Sequence, residues 1–154
     1  MTTEEIVAAI LASPELTALA ADGSTQAIAD ALSDGRTKVV NLMLTARGLS
    51  ERYEGGPIAA EAVLMKLEAT RDAMLASADQ GQRVLGSLLR RQLSFLGSDG
   101  LDFGAPALRS MLDHFAQMGI LTADEVTRLK ALAVVPDVVT HAQVGEALLH
   151  MGGK

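Results

Sequence analysis

The chain predicts an all-α fold: a compact orthogonal or irregular bundle of about seven or eight short helices around one long helix or helix pair at about 57–96. Three observations point there. Hydrophobic residues make up 49% of the 154 positions, and the surplus is Ala and Leu rather than β-branched or aromatic side chains. Ala and Leu lose little entropy in a helix, whereas strands draw on Val, Ile, Tyr and Phe. Thr-x-x-Glu or Thr-x-x-Gln occurs at Thr2–Glu5, Thr122–Glu125 and Thr140–Gln143, each ahead of an apolar run. These are capping boxes, in which the hydroxyl accepts from a free amide and the carboxylate or amide oxygen accepts from the cap amide. Between them, apolar residues recur at the helical period rather than alternating.

In order, the spacing predicts a helix over Thr3–Ala12, then a second opened by the Ser13 cap and Pro14 and running to Ala21. Asp22-Gly23 stops it, and Ser24 or Thr25 starts a third helix to Leu32. Thr37 to Ala46 reads as a helix, although Thr-Lys-Val-Val also suits a strand, and Gly48 closes it. Gly55-Gly56-Pro57 launches the longest helix, whose buried face the period assigns to Ile58, Ala62, Met65, Ala69 and Ala76. Asp79-Gln80-Gly81 either interrupts it or is passed through on the way to Leu96. In that second stretch Leu85, Leu88, Leu89, Leu93 and Leu96 form the inward face. Leu101 and Phe103 tuck in from the loop that follows. Pro106 opens a helix ending at Gly119, and the caps at Thr122 and Thr140 begin the last two. This length suits one helical domain over 1–150, with a sub-boundary open at 54–57, and a frayed tail at 151–154.

Composition narrows the function. A net charge of −6 and only four aromatic residues (Tyr53, Phe95, Phe103, Phe115) argue against a generic polyanion binder or a base-stacking platform. Without cysteine there is no disulfide framework, thiolate metal site or Cys nucleophile. The acidic, briefly apolar N-terminus does not suit a secretory signal, and no stretch approaches the ~20 apolar residues of a membrane span. The expectation is a soluble product that is not secreted.

Three constellations merit weighing. Ser24–Gly48 has the outline of a helix-turn-helix, with Arg36, Thr37, Lys38 and Asn41 opening a reading helix and Arg47 and Arg52 on phosphates. Against it, Asp34 sits in the turn and residues 24–53 carry four bases to three acids, a net +1. A plain helical hairpin packing Val39, Val40, Leu42 and Met43 explains the segment better. Glu61, Glu68, Asp72 and Asp79 fall within about 40° on one helix as a carboxylate ridge. A di-metal bundle would also need Glu-x-x-His, which His114, His141 and His150 do not supply. A solvated acidic face is the reading. Arg83, Arg90 and Arg91, with Ser87 and Ser94 beside them, are the candidates for contact with an anion or an acidic partner. Met43, Met65, Met74, Met111 and Met118 read as adaptable core filler. No nucleophile elbow, phosphate loop or calcium loop is present, so no catalytic, cofactor-binding or metal-ligating residue is assigned and the chain is read as no enzyme.

Two stretches carry a resemblance: Ile10–Leu16 with Gln26–Lys38, and Gly119–Val126 with Val139–Val144. They resemble small helical proteins encoded among the virion genes of tailed bacteriophages and prophages. The match covers about a third of the chain in Ala-Leu-rich words and transfers no catalytic residue. It implies a structural or assembly role, in the virion or host cytoplasm, through contacts with other virion proteins or further copies of the chain. Two rival readings stand beside it: the helix-turn-helix regulator, and a phage-encoded inhibitor of a host defence complex.

Overall fold

The computed structural model describes residues 1–152 and contains nine helices, which occur with only short strands. The fold is all-α. By contacts, the chain divides into two compact units, Met1–Lys38 with the segment from Val135 onward, and Val39–Val134. Residues 54–57 thus fall inside the second unit, 54 and 55 in a turn and 56 and 57 at the start of a helix.

The first unit contains α1 (Thr3–Ala12), α2 (Pro14–Ala21), α3 (Thr25–Ser33) and α9 (His141–Gly152), with α1 and α3 packed on α9. Thr2 and Glu5 form their capping box, and Ser13 caps α2 through the Leu16 amide. The Thr140–Gln143 pair also closes, Thr140 N donating to Gln143 Oε1 at 2.9 Å and Gln143 N to Thr140 Oγ1 at 3.3 Å. The core is Ile6, Ile10, Ile28, Ala29, Val139, Val144 and Ala147. Ser33 ties its two chain segments: Val139 N donates to Ser33 Oγ at 2.8 Å, while that hydroxyl donates to Ala29 O at 2.6 Å. α9 runs through Met151 and Gly152, which the sequence placed in a frayed tail; the last two residues of that tail lie outside the described ones.

The second unit runs from β2 (Met43–Leu44) and α4 (Ala46–Arg52) through α5 (Gly56–Ala76) and α6 (Gln80–Gly97) to β3 (Leu101–Asp102), α7 (Pro106–Gln117) and α8 (Ala123–Ala131). The stretch at 57–96 is two helices: Ser77 ends α5 and Asp79 caps α6, accepting from Gln82 N at 2.8 Å. They pack as a hairpin, and Gly86 permits it, since a Cβ there would stand 2.9 Å from Met74 Cβ and 3.0 Å from the Leu75 amide nitrogen. β2 pairs antiparallel with β3, Met43 opposite Asp102 and Leu44 opposite Leu101. Asp102 Oδ1 accepts from Leu42 N (2.8 Å) and Gly104 N (2.9 Å), and Gly104 lies so close to Val40 O that only glycine fits. The core is Leu-rich, with Tyr53, Phe103 and Phe115, around an apolar space of about 30 Å³.

Two expectations need correction. Thr37–Ala46 is not a helix: Thr37–Val39 is a strand (β1) that pairs with Val134–Pro136 (β4), followed by β2, and Thr45 caps α4 by accepting from Gly48 N. Val39 and Val40 are β-branched, and side chains of that kind suit extended backbone once a partner strand is in place. The apolar face assigned to α5 is the wrong one. Ala60, Val63, Leu67 and Met74 are buried, while Ile58 and Met65 are 87% and 62% exposed. Both sets have the helical period, and the observed one holds Val63 and Leu67, whose bulk fills the core.

Candidate interaction surface

No buried polar or charged residue occurs among the described ones, and no group of three His, Cys, Asp or Glu there could hold a metal ion. The side chains that stand out are apolar ones facing solvent. They concentrate on the outer faces of α5 and α6 in the second unit.

On α6 the inward positions are Gly86, Leu89 and Leu96. Leu88, which the sequence placed with them, is 47% exposed; with Val84 (55%) and Phe95 (41%) it forms an outward stripe. A helix that buries Leu89 and Leu96 turns positions 84, 91 and 95 toward solvent, and Leu88, at the edge of that stripe, also lines a groove with Leu108 and Met111 of α7. Arg91 occupies the remaining place in the stripe, and a surface groove of about 500 Å³ runs along Val84, Leu88, Phe95, Arg90 and Arg91, edged by Ser87 and Ser94.

The three arginines singled out from sequence do different work. Arg83 is spent on structure: its Nη1 donates to Ser77 O at 3.0 Å and Ala78 O at 2.7 Å, carbonyls just past the end of α5. Arg90 and Arg91 are exposed and make no ion pair among the described residues. α6 contains no acid, so its outer face is apolar and positive.

α5 presents the opposite charge. Its outward stripe is Ile58, Ala62, Met65, Ala69 and Ala76, with Asp72 in line and Glu61 and Glu68 alongside. The carboxylate ridge therefore has three members on α5, because Asp79 belongs to the α6 cap. Arg71 holds Asp72 through Nε and Nη2 at 2.8 and 3.0 Å, and this hydrogen bonding keeps the Asp72 carboxyl below its ordinary pKa. Glu68 approaches Arg71 only to 3.9 Å, and Glu61 has no ion-pair partner among the described residues.

The helix-turn-helix residues are not gathered into a reading head. Arg36 and Lys38 both bind Asp137, at 2.9 and 3.3 Å, and Thr37 lies in β1 between them. Asn41 sits in the irregular connection before β2, Arg47 pairs with Glu51 at 2.9 Å, and Arg52 ends α4. The recognition helix that groove reading requires is absent from this segment. Of the methionines read as core filler, Met74 is buried, but Met43 and Met65 are exposed at 58% and 62%.

The sequence missed the surface because period alone does not say which stripe of an amphipathic helix faces in. A signal was present: the α6 stripe contains arginine, which a core stripe would not tolerate unpaired. In the first unit Leu149 is exposed, and exposed Leu11 lines a groove with Glu4, Val7 and His150. No helix among the described residues is long and apolar enough to cross a membrane. In comparisons with known proteins, no family model, no curated protein and no solved structure matches the chain.

Proposed function

We propose that this chain is a non-enzymatic protein that works by contact with other proteins, as a component of a tailed-phage virion or of its tail assembly. The observation that carries the contact reading is the α6 outer face, where Val84, Leu88 and Phe95 stand in solvent beside two arginines without ion-pair partners. Apolar residues grouped with arginine are the composition of interface cores, where buried aromatic, aliphatic and guanidinium groups supply most of the binding energy. The virion part rests on the resemblance of Ile10–Leu16, Gln26–Lys38, Gly119–Val126 and Val139–Val144 to small helical virion-cluster proteins.

The test is incorporation into particles. Phage particles purified from a lysate should contain the chain, detected by mass spectrometry. A Leu88→Glu/Phe95→Glu variant should keep the helical circular-dichroism spectrum and fall at least about tenfold in particle content, a factor equal to ~1.4 kcal/mol of binding. Absence of the chain from particles, or normal incorporation of the variant, refutes the reading.

A further inference from the structure

We propose that the α6 outer face is a self-association surface whose occupant is the α5 outer face of a second copy of this chain. The inference rests on the contact reading above and names the partner. Three independent features of the two faces match. Exposed positions 84, 88, 91 and 95 of α6 follow one another at intervals of four, three and four residues. Exposed positions 58, 62, 65, 69, 72 and 76 of α5 repeat the same alternation. This 3.5-residue period is the one that keeps two helices in contact along a seam.

Size also matches. The α6 seam offers bulky Val84, Leu88 and Phe95, and the α5 seam offers Ala62 between Ile58 and Met65, then Ala69 and Ala76. Large side chains seat closely on alanines, because packing gains depend on facing positions interdigitating. Sign decides the pairing. α6 against α6 would set Arg90 and Arg91 near their own copies, and α5 against α5 would do the same with Glu61 and Glu68. Only α6 against α5 joins the arginines to the carboxylates, and like-charge juxtaposition suppresses the other two arrangements. Used reciprocally by two copies, the contact closes as a dimer; used in one direction it adds copies head to tail.

A charge-swap experiment on the full chain, read by sedimentation velocity over a concentration series, tests this. The wild type should associate reversibly. Arg90→Glu/Arg91→Glu and Glu61→Lys/Glu68→Lys should each keep the helical spectrum and raise the association midpoint at least about tenfold. In the first variant both seams are acidic, and in the second both are basic, so an equal mixture should recover association near the wild-type midpoint. Leu88→Ala, which leaves the charges alone, should weaken association as well. A wild type that stays monomeric, variants that associate like the wild type, or a mixture that does not recover each overturns the proposal. A monomeric chain still carried into particles through α6 overturns this inference and leaves the contact reading standing. Recovery in the mixture with no chain in particles supports self-association and removes the virion role.

Discussion

The two units reach their cores by different means. Ile6, Ile10, Ile28, Val139 and Val144, with Ala29 and Ala147, fill the first without a single aromatic ring. They come from two segments of the chain far apart in sequence, with the second unit between them, and Ser33 joins those segments by accepting from the Val139 amide. The second unit is continuous, Val39–Val134, and its core of Leu with Tyr53, Phe103 and Phe115 comes largely from helices that follow one another. The γ-branched leucines and aromatic rings from successive helices leave a space of about 30 Å³. The short, branched side chains of the first unit include several with no exposed surface at all, among them Ile6, Ile10, Ile28 and Val144. Stiff β-branched side chains favour a close fit because few rotamers are lost on burial.

The largest effect should come from the ring that the first unit has no counterpart for. Phe115→Ala in the second unit should cost ~3–5 kcal/mol, read from the urea midpoint at constant slope. A loss under about 1 kcal/mol would mean that this core collapses around the deletion and is more adaptable than its packing indicates.

Each unit also has a polar side chain that accepts from a distant backbone amide, Asp102 from Leu42 N and Ser33 from Val139 N. Asp102→Ala removes the acceptor for both Leu42 N and Gly104 N and should cost ~1.5–3 kcal/mol, as bonds to a carboxylate do. Ser33→Ala strands the Val139 amide, on a residue only 2% exposed, and should cost ~1–3 kcal/mol. Amide hydrogen exchange would place each loss: faster exchange at Leu42 and Gly104 in one variant, and at Val139 in the other. If Ser33→Ala leaves Val139 protected, the serine is not what fastens the first unit's two segments.

Adding one methyl group should split the units by sign. Val144→Ile enlarges a fully buried side chain in the first core and should destabilise by ~1–3 kcal/mol. Val63→Ile, on the lining of the second core's space, should stabilise by up to ~0.8 kcal/mol. Equal losses at both positions would show that the second core has no usable room.

Much of this fold could be read from residues, and the misreadings share a cause. The caps at Thr2, Ser13, Thr122 and Thr140 are local: the side chain and the amide it binds are three residues apart. Local chemistry of that kind is legible without a partner. At Thr37–Val39 the residues suit either a helix or a strand, and the strand is what forms, because its partner, Val134–Pro136, lies far along the chain, beyond any window of periodicity. The face of α5 was misread because that helix has two apolar stripes, and contact with α4 and α6, not period, selects Val63 and Leu67. For the same reason the contact surface was half legible. Charge marks Arg90 and Arg91 in the sequence, whereas period assigns Leu88 and Met65 to the core, and only burial moves them to the surface.

The smallest difference concerns acid. In the first unit Asp137 is held below the ordinary carboxylate pKa by hydrogen bonds from Arg36 and then Lys38. In the second, burial pushes Glu125 up, but the Lys66 hydrogen bond and the Thr122 amide and hydroxyl outweigh it and hold the group below its usual value. A folded pKa below the unfolded one adds stability that is present above the ordinary carboxylate range and lost as pH falls through the folded value. Both units should therefore weaken below about pH 4, where free Asp and Glu begin to protonate. The cations are similarly exposed (Arg36 41%, Lys38 55%, Lys66 46%), but Glu125 also accepts from the uncharged Thr122 amide at 2.8 Å, which salt does not screen, so its pKa should be the less sensitive to salt. Side-chain carboxyl titration by NMR, repeated at high salt, checks this directly. Asp137 should move toward its free value more than Glu125 does, and Lys66→Gln should raise the Glu125 pKa while leaving Asp137 where it was. Equal salt shifts at the two carboxyls would place both pairs in the same solvent-screened class and erase this difference between the units.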